Sequence, residues 1–136
     1  MPGWMLDSVA LIDYYHGRPG IVPYVEKILT QEATGAFSTV TELELWQGLR
    51  AGEEERHEAM LALLERVPLD GAIARRAGQL RRQFGLDRLS LPDAAIAASA
   101  ELTGHTLLTR NRRDFEALRE LMAIEFYTRD PSISSM

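Results

Sequence analysis

Four acidic positions stand where they can do chemistry together. Asp7 ends the first apolar run, directly before a helical pattern, and Asp93 heads a run of small residues. Asp114 closes the segment Thr109-Arg110-Asn111-Arg112-Arg113-Asp114, and a fourth acid comes from either Glu42 or Glu44. Carboxylates held close repel one another, which raises the pKa of some of them unless a cation sits among them. An all-oxygen cluster suits a hard divalent ion, Mg²⁺ or Mn²⁺. One or two such ions activate a water and steady the leaving oxygen of a phosphodiester. Helical spacing separates Glu44 from Glu42. Glu44 shares a face with Thr41, Gln47 and Gly48, small and polar, whereas Glu42 lies beside Leu45 and Trp46. The geometry therefore favours Glu44. Each acid also has an ordinary reading: Asp7 and Asp93 as helix caps, Glu44 as a solvated helix acid, Asp114 as a complement to a helix dipole.

The elements that must position these residues follow from periodicity and punctuation. Trp4, Met5 and Leu6 form a buried-strand pattern, and from Ser8 the recurrence of Val9, Leu11, Ile12 and Tyr15 predicts a helix stopped by Gly17 and Pro19. A second helix is expected over 20–34, with Pro23 in its first turn, then a brief strand over 35–38 and a helix over 40–51 stopped by Gly52. Helices over 53–66 and 71–84 come next, and Leu91-Pro92-Asp93 opens another. Ala94 to Ala100 are small nearly all the way round, the mark of a buried, closely packed helix. Strands over 105–108 and 124–126 complete the order. Strands alternating with helices predict an α/β fold with a mostly parallel sheet covered on its faces. Ligands of such sheets bind outside the carboxyl ends of the strands, where all four acids fall.

Composition narrows the chemistry. The 136 residues, 46% hydrophobic and 26% charged, suit one domain, placed at 1–130 with a loose tail over 131–136. There is no cysteine, which excludes a cysteine nucleophile and any thiolate metal site, and His16, His57 and His105 are well separated. No apolar run approaches the roughly 20 residues of a membrane span, and the N-terminus lacks the pattern of a secretory signal, so a cytoplasmic location is expected. With 15 basic against 20 acidic residues the net charge is -5, which argues against a protein that coats nucleic acid. The charge is segregated, however. Residues 53–66 carry five acids, while arginines gather over 71–88 and 110–113. There is no Gly-rich phosphate loop and no nucleophile elbow. A haloacid-dehalogenase pattern would need an acid where Val9 stands, and a receiver domain a lysine where none occurs, Lys27 being the only one.

With these residues placed, the chain resembles the PIN-domain ribonucleases, and within them the VapC-type toxins of toxin–antitoxin pairs. Met5-Leu6-Asp7-Ser8-Val9-Ala10-Leu11-Ile12-Asp13-Tyr14 resembles the family's opening motif, although Val9 stands where many members have a second small hydroxyl residue. Thr41-Glu42-Leu43-Glu44-Leu45-Trp46-Gln47-Gly48 is similar to the second, in which the acid precedes a leucine and lies four residues before a glycine. That spacing also selects Glu44. Leu91-Pro92-Asp93-Ala94-Ala95-Ile96 and Leu107-Leu108-Thr109-Arg110-Asn111-Arg112-Arg113-Asp114-Phe115 resemble the third and fourth. Relatives vary in whether the last acid sits at the Asn111 or the Asp114 position, and here only Asp114 is acidic.

The resemblance implies a three-layer α/β/α PIN-like fold with a central, mostly parallel sheet of about four to five strands. It implies a Mg²⁺- or Mn²⁺-dependent endoribonuclease with Asp7, Glu44, Asp93 and Asp114 as catalytic acids, Asp7 and Asp93 binding the metal directly. Ser8, Thr109, Arg110, Asn111 and Arg112 are then the candidate RNA contacts, with some of the 75–88 arginines holding flanking phosphates. The partners implied are RNA, a VapB-type antitoxin with an arginine reaching the acidic pocket, and a second copy in a homodimer. The Trp46 region and the surface of the helices over 20–51 are candidate partner grooves. The alternatives are an inactive PIN-like binding module, which would bind no divalent ion, and a small metal-dependent phosphatase, which would leave RNA intact.

Overall fold

A computed structural model describes residues 1–131. Its elements are β1 (Gly3–Leu6), α1 (Ser8–Tyr15), α2 (Val22–Leu29), β2 (Thr34–Ser38), α3 (Thr39–Gln47), α4 (Glu54–Leu61) and β3 (Glu65–Val67). There follow α5 (Gly71–Phe84), α6 (Leu91–Thr103), β4 (Thr106–Thr109), α7 (Arg112–Phe115), a 3-10 turn (Glu116–Glu120) and β5 (Ile124–Phe126). The strands form one sheet in the order β3-β2-β1-β4-β5, and every neighbouring pair is parallel. The expected α/β class thus holds, and the sheet is wholly rather than mostly parallel. β1 sits at its centre, so the residue that ends it lies mid-sheet.

Alternation along each strand builds the layers, because successive side chains point to opposite faces. Met5, Ala36 and Leu107 pack into a core shared with α5 and α6, whereas Trp4, Leu6, Phe37 and Leu108 pack into a second core with α1, α2, α3 and α4. A sheet buried on both faces needs continuous apolar strands, which is what β1 and β4 supply. Helix α6 fits the close approach predicted for it: Ala94 through Ala100 are all buried.

Several boundaries differ from expectation. α2 stops at Leu29 and the strand after it starts at Thr34; between them Gln31 adopts φ 64°, a left-handed turn that no helix could continue through. α3 ends at Gln47, with Gly48 as its cap, well before Gly52. The helix expected over 53–66 covers only Glu54–Leu61, and Glu65–Val67 form the edge strand β3 instead. The short helical turns after β4 were not foreseen. Gly20 has a specific structural reason: a Cβ there would lie 1.5 Å from the Thr128 carbonyl oxygen. Its amide donates to the Arg129 carbonyl at 3.0 Å, which ties the chain after β5 to the loop between α1 and α2. The tail proposed over 131–136 lies, beyond Pro131, outside the described residues.

Candidate active site

Asp7 leaves the C-terminal end of β1 and caps α1, its extended backbone (φ -66°, ψ 159°) turning the chain from strand to helix. Only 5% of its surface is exposed. Its Oδ1 accepts the Ser8 amide at 2.8 Å and its Oδ2 the Thr109 hydroxyl at 2.8 Å, from the end of the neighbouring strand β4. The capping role and a chemical role therefore coexist in one side chain. Ser8 turns its hydroxyl onto Glu44, donating to Oε1 at 2.6 Å, with the Thr41 hydroxyl 3.2 Å away. The face of α3 that carries Thr41 and Glu44 is thus the one that meets the start of α1. Glu42 points elsewhere, into a two-pronged pair with Arg66 at 2.8 and 2.9 Å.

Asp93 is not the cap of α6. Ser90 is, its hydroxyl accepting the Asp93 amide at 3.2 Å and also lying against the Asp93 carboxyl in the first turn. Asp114 occupies the first turn of α7, where its Oδ2 accepts from the Asn111 side chain at 2.6 Å and its amide donates back to Asn111 Oδ1 at 3.3 Å.

Electrostatics show that the four acids share one region. Burial pushes the Asp7 carboxyl up to about 6; the donors Thr109 and Ser8 oppose this, and the charges of Glu44 and Asp114 add to it. Asp93 is pushed up to about 7, by burial first and then by the charge of Asp7, with Asp114 and Glu44 contributing. None of the ion pairs among the described residues involves Asp7, Glu44, Asp93 or Asp114. The cluster is therefore left with neutral donors and its own repulsion. Its donor set is all oxygen and suits a hard divalent ion. As the side chains stand, no three acidic or histidine residues among those described converge on one ion position. Several of the oxygens face donors of the protein itself: Thr109 and the Ser8 amide at Asp7, Ser8 at Glu44 and Asn111 at Asp114.

The candidate RNA contacts divide. Thr109 is buried against Asp7. Arg110 turns away from the acids, its Nε donating to Asp13 Oδ2 at 2.6 Å. Arg112 stacks over Phe126, 4.6 Å from the ring centre, with its side chain 59% exposed. In α5, Arg76 pairs with Glu101 and Arg81 binds the carbonyls of Leu86 and Leu89, so these two arginines are occupied within the fold. Trp46 packs edge-on to His57 with ring centres 5.2 Å apart. A cleft of about 470 Å³ lies beside it on α1, α3 and α4, lined by Ile12, Tyr15, Glu44, Leu45, Arg50 and Arg56 among others. The sequence shows Asp13 only as a member of the opening motif, with no role of its own, and does not single out Tyr127. The signal available was an acid inside the otherwise apolar pattern of α1.

The PIN domain family model matches residues 4–121. Ribonuclease VapC10 of Mycobacterium tuberculosis is 31% identical over 121 residues, covering 86% of this chain and 89% of that protein. Among solved structures, a toxin–antitoxin complex from Klebsiella pneumoniae aligns with a TM-score of 0.71 and 30% identity, over 85% of this chain and 90% of that one. DNA-bound VapBC from Salmonella typhimurium aligns with a TM-score of 0.73 and 26% identity, over 93% and 98% of the two chains. VapBC2 from Rickettsia felis, bound to a promoter DNA fragment, shares the fold with a TM-score of 0.76 at 22% identity, over 93% and 99% of the two chains. The chain belongs to the PIN-domain family. Within that family, its relatives are ribonucleases of the VapC kind.

Proposed function

We propose that this protein is a divalent-metal-dependent endoribonuclease and the toxin of a VapBC-type pair. The observation that carries the reading is the uncompensated carboxylate cluster at the C-terminal ends of β1 and β4, in a chain whose relative at 31% identity is a ribonuclease. Asp7 and Asp93 would hold Mg²⁺ or Mn²⁺, with Glu44 and Asp114 completing the acidic shell. The ion would supply water activation and charge neutralisation at the phosphodiester.

The chain's own residues prepare the rest. Thr109 and the Ser8 amide fix both oxygens of Asp7 while it is buried, so that its orientation does not depend on solvent. Ser8 orients Glu44 from the opposite side, and Asn111 orients Asp114. Without a cation, burial and the charge of Asp7 push the half-buried Asp93 carboxyl up to about 7, so a divalent ion bound there would favour its ionised form. Arg112, stacked and exposed, is the candidate contact for a flanking phosphate.

The toxin–antitoxin complexes among the structural neighbours support a protein partner for this chain. The cleft that Glu44 lines is the place for an antitoxin segment: of the four acids Glu44 alone reaches it, with Arg50 and Arg56 also in its walls, and an arginine that meets Glu44 there would touch the edge of the acidic cluster. A homodimer and a cytoplasmic site of action belong to the same proposal. Among the described residues, no helix is long and apolar enough to cross a membrane. The test is cleavage of single-stranded RNA by the purified protein with Mg²⁺ or Mn²⁺. Asp7→Asn and Asp93→Asn should abolish it while leaving the circular dichroism spectrum unchanged. Equal cleavage by those variants would refute the assignment.

A further inference from the structure

Asp13 is the most completely buried charged side chain of the fold outside the acidic site, 2% exposed, on the helix that Asp7 caps. Its Oδ2 accepts from Arg110 Nε and from the Tyr127 hydroxyl, both at 2.6 Å, and its Oδ1 accepts from Arg110 Nη2 at 3.4 Å. Its backbone carbonyl accepts the Arg18 amide at 2.9 Å. Burial, then the Asp13 hydrogen bond, pushes the Tyr127 hydroxyl far above its ordinary range, so it stays a donor. Three segments meet here: α1, the loop after β4, and the chain leaving β5.

Arg110 stands between the two residues that handle the acidic site. On one side Thr109 donates its hydroxyl to Asp7 and accepts the Asn111 amide at 3.1 Å. On the other side Asn111 holds Asp114 through two hydrogen bonds. A fork anchored at Asp13 therefore sets the path of the backbone that carries both. Net stability is a weak reason for such a network, because a buried ion pair recovers little more than its desolvation cost and a packed apolar trio would do as well. An apolar trio, however, would not impose a direction on a loop.

On these grounds, and resting on the ribonuclease reading above, we propose that Asp13 is a positioning residue: through Arg110 it fixes residues 109–114, and with them the Thr109 hydroxyl on Asp7 and the carboxylate of Asp114. Asp13 itself touches no substrate, and Arg110 serves the loop rather than the RNA.

The experiment compares wild type with Asp13→Asn, Arg110→Gln, Arg110→Lys and Tyr127→Phe in the full chain. It reads kcat and KM on a single-stranded RNA, the salt dependence of RNA binding in an Asp93→Asn background, and amide hydrogen exchange at Asn111. Misplacement of a site by about 1 Å costs on the order of 100-fold in rate. The expectation is thus a fall in kcat of roughly 10- to 100-fold for Asp13→Asn and Arg110→Gln with KM within about threefold, and a smaller fall for Arg110→Lys, which keeps one charged donor. Exchange at Asn111 should quicken in each, beyond any change in global stability, and the salt slope of binding should stay at the wild-type value. A slope reduced by about one for Arg110→Gln would mean a lost phosphate contact and would overturn the proposal. Unchanged kcat in variants of lowered Tm would overturn it too, leaving a purely structural pair. If Asp13→Asn does not fold, Tyr127→Phe and Arg110→Lys decide the matter by the same two readouts. Should wild type cleave no RNA, the ribonuclease reading fails. Exchange at Asn111 then judges the latch alone, faster exchange in the variants supporting it and unchanged exchange overturning it.

Discussion

Asp7 and Asp13 lie six residues apart on one stretch of chain, both buried, and they are treated in opposite ways. Asp13 receives a guanidinium and a phenol. Asp7 receives only a hydroxyl and an amide, and it faces the charges of Glu44 and Asp114. A buried carboxylate given a cationic partner holds the segment that carries that partner in place. One left without a partner beside other carboxylates costs stability and is a place for a cation that the fold does not supply. The same side chain type thus marks a structural joint and a reactive site, and only the company it keeps tells them apart.

The contrast breaks most sharply in activity. Neutralising Asp7 or Asp93 should lower RNA cleavage by at least about a hundred- to a thousandfold, the scale of losing a key electrostatic group. Without divalent ions, Asp93→Asn should melt a few degrees above wild type at pH 8, because it removes repulsion; calorimetry checks both signs. Asp13→Ala should do the reverse. It strands Arg110 and Tyr127 and should cost about 2–4 kcal/mol, somewhat below the loss for a fully buried pair because the Arg110 side chain is 36% exposed. For a chain of this size that lowers Tm by about 10 °C.

The pH dependence sharpens the comparison further. Asp7 at about 6 and Asp93 at about 7 lie above the ordinary 3.8, so the folded protein holds protons that the unfolded chain has released. Stability in a chelating buffer should therefore fall as pH rises from about 4 to 7 and level off above 8, measured by urea melts across that range. The Asp7→Asn/Asp93→Asn double variant should lack most of this slope. The smallest effect is expected at the exposed Glu42–Arg66 pair, where Arg66→Gln should change stability by less than about 1 kcal/mol.

Much of this was legible in the sequence where local signals agreed. Helix α5 has an aspartate cap, a helical apolar stripe and a terminal glycine, and its expected bounds match Gly71–Phe84. The all-small run of α6 announced its own burial. Edge strand β3 was invisible because two of its three residues, Glu65 and Arg66, are exposed, so it shows no apolar run. The turns after β4 are too short to show a period. In the candidate site, placement at strand ends and the face argument for Glu44 brought the four acids forward, since each rests on a local element. The Asp13–Arg110 joint did not emerge, because its partners are 97 residues apart and nothing local encodes their meeting. The sequence offers Arg110 as a candidate RNA contact, whereas in the fold its guanidinium faces Asp13.

The account turns on the claim that the acidic cluster lacks a partner that a divalent ion provides. The most direct measurement is thermal melting at pH 8 with and without millimolar Mn²⁺, for wild type and for the Asp7→Asn/Asp93→Asn double variant. Wild type should gain several degrees with the ion, while the double variant should start higher and gain nothing. Equal responses in the two proteins would contradict the account.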